Sequence, residues 1–421
     1  MDKFIIEGGR PLEGEVVISG SKNAALPAIA ASLLAEGTTV IHNIPDVKDI
    51  RTMIKILTSM GVHTSFSNST ITIDPSGINK FTAPYEFVST MRGSVCLLGP
   101  LIGKYGQAVF SMPGGCVIGS RPIDLHLKGL KKLGANIFQQ DGNIVSSSTK
   151  LTGSTVFLGG SFGSSVLATA NIMMAATLAD GETLIECAAC EPEIVDLANL
   201  LKKMGAKISG EGSHFVRIEG VKELAGCEYT IIPDRIEACT YILAGYMTKG
   251  NINVKGVISE HILSFLDILE EIGINLQVEK NTVSVESNGR WKSVDITTLP
   301  YPGFPTDLQA QMMAFLTLAE GVSIITEKVF PERFIHVGEL NRLGANISLD
   351  GARAIIKGVE KLNGARVMAS DLRASAALVL AGLVAEGKTE VARIYHLDRG
   401  YERFEEKLKG LGAMIERSNE K

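Results

Sequence analysis

The sequence predicts an α/β protein of two domains, each built from three repeated β/α units. Three observations predict it. A motif recurs about every seventy residues from one end of the chain to the other, each copy alternates Ala/Leu-rich helical stretches with β-branched strands, and 421 residues exceed what one ordinary core holds.

The repeat is read from LTSMGV, LKKLGAN, LKKMGAK, LEEIGIN, LNRLGAN and LKGLGAM, whose glycines are Gly61, Gly134, Gly205, Gly273, Gly344 and Gly412. A second glycine opens a strand upstream of each, at Gly37, Gly106, Gly181, Gly250, Gly321 and Gly387. Stretches such as NAALPAIAASLLAEG and ASAALVLAGLVAEG, just before it, have helix length and a glycine at the expected stop. Each unit therefore reads helix, strand, helix, then a β-branched hairpin such as ANISLDGARAIIKG.

The last unit stops at GAMIER, short of its closing strands, while the first residues, FIIEGGRPLEGEVVISGSKNAA, align with the hairpin end of the other copies. The amino-terminal strands are thus expected to complete the last unit. One domain would run over 22–230 and carry the loop around Cys116. Residues 1–21 plus 231–421 would form the other, and the two chain crossings would act as a double hinge.

Composition narrows the function classes. An apolar fraction of 45% and a charged fraction of 21% are those of a globular protein. A formal charge of −5, without a Lys/Arg run, argues against nucleic acid as a partner. The longest nearly apolar segment, ASAALVLAGLVA, is too short to span a membrane. MDKFIIEGGRPLEGE holds acidic residues and no signal-peptide run, so a cytoplasmic protein with reduced cysteines is expected.

Function is expected where strands hand over to helices, at SGSKNAA, STMRGSV, GGSFGSS, PDRIEAC, FPTDLQA and SDLRASA. Helix amino termini present unpaired N–H groups and favour anions. Ser21, Asn23, Ser161, Asp234, Thr306, Asp307, Ser370 and Asp371 read equally as caps or first-turn residues. Lys22, Arg92, Arg235 and Arg373 do not, because a cation is unfavourable there unless an anion answers it.

SMPGGCVIGSRPIDLHLKGL interrupts the second repeat with an additional loop. Its Cys116 follows two glycines and has Arg121 nearby, and cationic surroundings make a thiol more reactive; an inert loop thiol is the alternative. Cys187 and Cys190 have redox spacing but no second pair and no thioredoxin-like context, so the spacing reads as coincidence. No histidine pattern suggests a metal site. His126 either supports the loop or caps it.

Seven segments carry a resemblance in order along the chain: GSKNAA, SMPGGCVIGSRPIDLHL, EPEIVDLANLL, YPGFPTDLQAQ, ERFIHVGELNRLGA, SDLRASAALVLAG and LDRGYERFEEKL. Together they closely resemble the UDP-N-acetylglucosamine 1-carboxyvinyltransferases of bacterial cell-wall synthesis, members of the enolpyruvyl transferase superfamily. The resemblance implies two inverse α/β barrel-like domains that close over substrate. It implies transfer of the enolpyruvyl group of phosphoenolpyruvate to the 3′-hydroxyl of UDP-N-acetylglucosamine with release of phosphate, the first committed step of peptidoglycan synthesis. It implies no metal and no organic cofactor, and the charge and hydropathy above lead us to expect no nucleic-acid or membrane partner.

The same resemblance implies residue roles. Lys22, Arg121 and Arg399 would hold phosphoenolpyruvate, with Asn23 adding an amide. Cys116 would be the general acid or add covalently to phosphoenolpyruvate, and Asp307 would be the base at the sugar hydroxyl. Arg92, Arg121, Pro122, Ile123, Asp124, Leu125, Ser161, Phe162, Gly163, Asp307 and Val329 would line the nucleotide-sugar site, with Phe162 where a smaller aliphatic residue is expected. Arg333, Asp371 and Leu372 would meet the loop on closure. The alternatives are transfer to shikimate 3-phosphate and a non-catalytic regulatory protein that binds UDP-N-acetylglucosamine.

Overall fold

The computed structural model describes residues 2–111, 123–161 and 163–419. The chain divides into two compact units. One is continuous, from Gly20 to Ile232; the other is split, taking the chain up to Ser19 and again from Pro233 onward.

Among the described residues, six four-stranded sheets, three per unit, share one topology. In each, a short strand runs parallel to a second, and two further strands continue antiparallel. In the continuous unit the second strands are Thr39–His42, Gln107–Ser111 and Glu182–Glu186. In the split unit they are Asn251–Lys255, Val322–Glu327 and Lys388–Ala392. The first strand is always lent by the preceding copy, so each unit closes into a ring. Glu228–Thr230 returns to pair with Thr39–His42. The amino-terminal strand Asp2–Glu7 fills the third place of the last sheet, where Phe4 sits opposite both Val391 and Arg417. Glu13–Val17 then lies parallel to Asn251–Lys255 and starts the next sheet.

Two kinds of helix serve this plan. The first helix of each copy is buried nearly all round, as in Val166–Ala176, Arg235–Met247 and Leu372–Val384. Its Ala-rich composition follows, since small side chains let helices pack closely at the centre of a unit. Gly99 shows how close: a Cβ there would lie 2.3 Å from the carbonyl oxygen of Asn171 on the neighbouring helix. The second helices, such as Lys48–Ser59 and Pro192–Lys203, expose polar faces and bury Leu, Ile and Met. This is the inverse α/β barrel-like arrangement, with helices inside and sheets outside.

The recurring Leu-x-x-Leu-Gly-Ala now has a physical reason. In all six copies the glycine has a φ between 90° and 111°, which L-residues rarely adopt. The amide after it donates to the carbonyl of the Leu five residues back, as Ala135 does to Leu130 at 3.0 Å, and the glycine amide donates to the residue after that Leu. This double closure ends a helix and aims the chain into the hairpin.

The upstream glycines behave alike in five copies, with φ between 69° and 114°. The fourth copy differs: Lys249 takes the positive φ, of 55°. Gly250 is needed there for space, because a Cβ would meet the Leu12 carbonyl oxygen at 2.3 Å.

Among the described residues no helix is long and apolar enough to cross a membrane. Cys187 and Cys190 carry free thiols.

Candidate functional site

In the split unit, the three strand-to-helix junctions each carry an aspartate. Asp234 caps the helix Arg235–Met247, accepting from the amides of Ile236 and Glu237 at 2.8 and 3.0 Å. Asp371 caps Leu372–Val384, accepting from Arg373 and Ala374 at 2.9 and 3.2 Å. Asp307 caps nothing. It lies in the 3-10 turn Thr306–Leu308 before Gln309–Leu316, and its side chain turns to two guanidiniums.

Arg333 Nη1 donates to Asp307 Oδ1 at 2.9 Å. Arg373 grips Oδ2 through Nε at 3.2 Å and Nη2 at 3.0 Å. Burial by itself would raise the carboxyl pKa, but Arg373 and Arg333 outweigh it and hold Asp307 well below the usual carboxylate range. Arg373 is only 2% exposed and lies over the Tyr401 ring at 5.3 Å. Its Nη1 has no hydrogen-bond partner among the described residues. A buried N–H left unpaired beside a paired carboxylate is a ready donor to an anionic group.

Around this pair the chain supplies a dense second layer. Arg333 Nη1 also donates to the Thr306 carbonyl at 3.0 Å and hydroxyl at 3.1 Å, and its Nη2 lies 3.9 Å from Asp371. His336, nearly fully buried, is held neutral: burial lowers its pKa to about 4, with Asp371 opposing and Arg333 assisting. Glu327 accepts from the backbone amides of Val329 and Phe330, both at 2.8 Å, and so shapes the segment that leads to Arg333. Arg399 ends the 3-10 turn Ile394–Arg399 and is half-buried. Leu372 packs where a Cβ on the neighbouring Gly400 would come within 2.6 Å of it.

In the continuous unit, Lys22 is the first residue of Lys22–Ala31, whose cap is Ser21. Its Nζ lies 3.2 Å from Asp49, and both side chains are largely buried. Asn23 follows, half-buried in the same first turn. Arg92 opens the 3-10 segment Arg92–Leu97. His126 is buried and accepts from the Asn171 amide at 2.8 Å; burial, with Arg92 adding to it, lowers its pKa to about 3.

Ile123 is buried ahead of the helix Asp124–Lys132, Asp124 is exposed and Leu125 half-buried. Gly159–Gly160 pairs antiparallel with Gly163–Ser164, which sets Ser161 at the exposed tip of a small hairpin. Leu125 belongs to the same corner: a Cβ on Gly160 would lie 3.2 Å from its Cδ1. Cys116, Arg121, Pro122 and Phe162 lie outside the described residues.

Three expectations need correction. Ser161 is not a cap; Ser165, four residues on, accepts from the Ala168 amide and caps Val166–Ala176. Ser370 is not one either, since Asp371 takes the role. Two of the four junction cations already have an answering anion within the chain: Lys22 has Asp49 and Arg373 has Asp307. A cation at a helix amino terminus therefore does not by itself require a ligand. Sequence reasoning missed Asp49, Asn171, Glu327 and His336; Asp49 meets Lys22, Asn171 meets His126 and Glu327 meets Thr306 across 27, 45 and 21 residues, which leaves no local pattern.

Comparison with known proteins bears on the whole chain. A family model described as EPSP synthase (3-phosphoshikimate 1-carboxyvinyltransferase) matches residues 6–408. A protein of Methylacidiphilum infernorum named UDP-N-acetylglucosamine 1-carboxyvinyltransferase is 55% identical over 99% of both chains. One of Carboxydothermus hydrogenoformans, named UDP-N-acetylglucosamine 1-carboxyvinyltransferase 2, is 54% identical over the same shares. Among solved structures, the enolpyruvyl transferase NikO from Streptomyces tendae superposes with a TM-score of 0.91 at 25% identity, covering 100% of this chain and 99% of that one. An EPSP synthase from Acinetobacter baumannii reaches 0.76 at 18% identity with full coverage of both, a likeness of fold alone.

Proposed function

The chain belongs to the EPSP synthase family of enolpyruvyl transferases, and from that premise we propose that it transfers the enolpyruvyl group of phosphoenolpyruvate to the 3′-hydroxyl of UDP-N-acetylglucosamine, releasing phosphate. The observation that carries the choice of acceptor is the 55% identity, over 99% of both chains, to a relative bearing that activity's name. Shikimate 3-phosphate is disfavoured as acceptor, since relatives at 50–55% identity over 99% of this chain carry the UDP-N-acetylglucosamine name. A non-catalytic role is also disfavoured, because Lys22, Cys116, Asp307 and Arg399 are all retained. The reaction opens peptidoglycan synthesis, and the reading places the protein in the cytoplasm with both small-molecule substrates.

The chemistry is an addition followed by an elimination. A proton joins the methylene carbon of phosphoenolpyruvate, the sugar oxygen bonds to the neighbouring carbon, and the hydroxyl loses its proton. The tetrahedral adduct then breaks its carbon–oxygen bond to phosphate and gives back a methyl proton, restoring the double bond. In this reading Cys116 supplies the first proton. Lys22, Arg121 and Arg399 bind the phosphate and carboxylate, with Asn23 donating alongside.

Asp307 orients the 3′-hydroxyl and takes its proton. Two guanidiniums make it a weak base in the resting state. As the carbon–oxygen bond forms, the attacking hydroxyl becomes strongly acidic, so a well-placed weak base suffices. Ionisation is thereby guaranteed at any working pH, and both oxygens are fixed in place. Arg92, Pro122, Ile123, Asp124, Leu125, Ser161, Phe162, Gly163 and Val329 hold the nucleotide sugar, while Arg333, Asp371 and Leu372 complete the closed state.

The test is phosphate release from phosphoenolpyruvate with each acceptor in turn, with Cys116→Ser alongside. Phosphate should appear with UDP-N-acetylglucosamine only, and the variant should lose at least about tenfold in turnover, about 1.4 kcal/mol in barrier. Release with shikimate 3-phosphate instead, or tight nucleotide-sugar binding without turnover, would overturn the reading.

A further inference from the structure

The strand Val322–Glu327 ends in a carboxylate that is 0% exposed. At the equivalent place, six residues after the upstream glycine, the other five copies carry Asn43, Met112, Cys187, Gly256 and Arg393, none of them an acid. The scaffold therefore does not require a carboxylate at this place. Burying one is costly unless every lone pair finds a donor.

Glu327 is answered by a dense set of donors. Oε1 accepts from the Thr298 hydroxyl at 2.7 Å and from the Val329 and Phe330 amides at 2.8 Å. Oε2 accepts from the Thr306 hydroxyl at 2.9 Å. Four donors thus reach the buried carboxyl group, three on Oε1 and one on Oε2.

The Thr306 bond has a directional consequence. A hydroxyl has one proton, and with that proton given to Glu327 its oxygen can only accept from other neighbours. Arg333 Nη1 donates to it at 3.1 Å and, from the same nitrogen, to Asp307 at 2.9 Å. A relay runs from Glu327 through Thr306 to Arg333 and Asp307, and all its members come from the fifth repeat.

We propose that Glu327 is a positioning residue of the transfer reaction. Through the Thr306 hydroxyl it fixes Arg333, and with it the Asp307 carboxylate; through the Val329 and Phe330 amides it fixes the segment that carries Arg333. The proposal rests on the reading of Asp307 as the group that takes the sugar proton.

The test is steady-state kinetics on the full chain with Glu327→Gln, Thr306→Val, Thr306→Ser and the Glu327→Gln/Thr306→Val pair. The wild type is assayed first with phosphoenolpyruvate and UDP-N-acetylglucosamine; no turnover there defeats the functional reading, whereas the variants bear on the relay. Thr306→Val keeps the shape and loses the hydroxyl. It and Glu327→Gln should each lower kcat at least about tenfold while KM for UDP-N-acetylglucosamine stays within roughly threefold, the pattern of an interaction realised in the transition state.

Thr306→Ser should restore kcat to within roughly threefold of wild type, and the double variant should be no worse than its poorer parent, because both break one relay. Wild-type kcat in Thr306→Val, or losses that multiply in the double variant, would overturn the proposal. If Glu327→Gln does not fold, the two Thr306 variants decide by themselves.

Discussion

Asp234 and Asp307 stand at the strand-to-helix junctions of successive repeats, Asp234 at the cap and Asp307 two residues past the cap position Pro305, and do different work. Asp234 gives its carboxylate to two amides of its own helix. Asp307 leaves its helix uncapped and gives both oxygens to guanidiniums that arrive from 26 and 66 residues away. The scaffold explains the first arrangement completely. It does not explain the second, which forgoes a cap and buries two arginines; where a repeat gives up its own local stability, the chemistry is to be sought.

The sharpest way to break this comparison is at Asp307 itself. Asp307→Asn keeps the shape and removes the proposed base, so turnover should fall by at least about a hundredfold, within the range general-base groups contribute. Phosphate-release kinetics check it. Next in size is Arg373→Met, which fills the space but leaves Asp307 with Arg333 only. The expected loss is about 2 to 3 kcal/mol in a urea titration, less than for a fully buried pair because the Asp307 side chain is 31% exposed.

His336 sharpens the comparison through pH. Its folded pKa of about 4 lies below the ordinary histidine value, so as pH falls from 6.5 toward 4 the unfolded chain takes up a proton that the folded chain refuses. Stability should therefore drop by about 2 kcal/mol between pH 6.5 and 5, and His336→Gln should lose less over that window. Smallest is Asp234→Ala. Loss of a cap should cost about 1 kcal/mol in thermal or urea unfolding, with kcat unchanged within roughly twofold.

The parts of the fold that were legible in the sequence are those with a local cause. A glycine at positive φ after Leu-x-x-Leu closes a helix through bonds spanning five residues, so the motif alone marks six helix ends. The Ala-rich central helices and β-branched hairpins are similarly written in composition and periodicity. In the candidate site, Lys22 was legible as a cation at a helix amino terminus and Asp307 as a junction residue, while the proposed roles of Asp307 and Arg333 came only through resemblance to a family.

Their partners were not legible, for a physical reason. Asp49 reaches Lys22 from 27 residues away, and Glu327 reaches Thr306 from 21. A side chain answered from another element looks, in sequence, the same as one left for a ligand. Junction cations therefore overstate how much anion binding a sequence implies, and Ser161 and Ser165, both hydroxyls before one helix, could be told apart only by a hydrogen bond.

The most direct test follows the product. Wild type, Asp307→Asn and Asp234→Asn, which retains a capping side chain, are incubated in parallel with phosphoenolpyruvate and UDP-N-acetylglucosamine, and the nucleotide sugar is weighed by mass spectrometry. Wild type and Asp234→Asn should convert it to the enolpyruvyl ether while Asp307→Asn leaves it unchanged. Equal conversion by all three, or by none, would contradict the account.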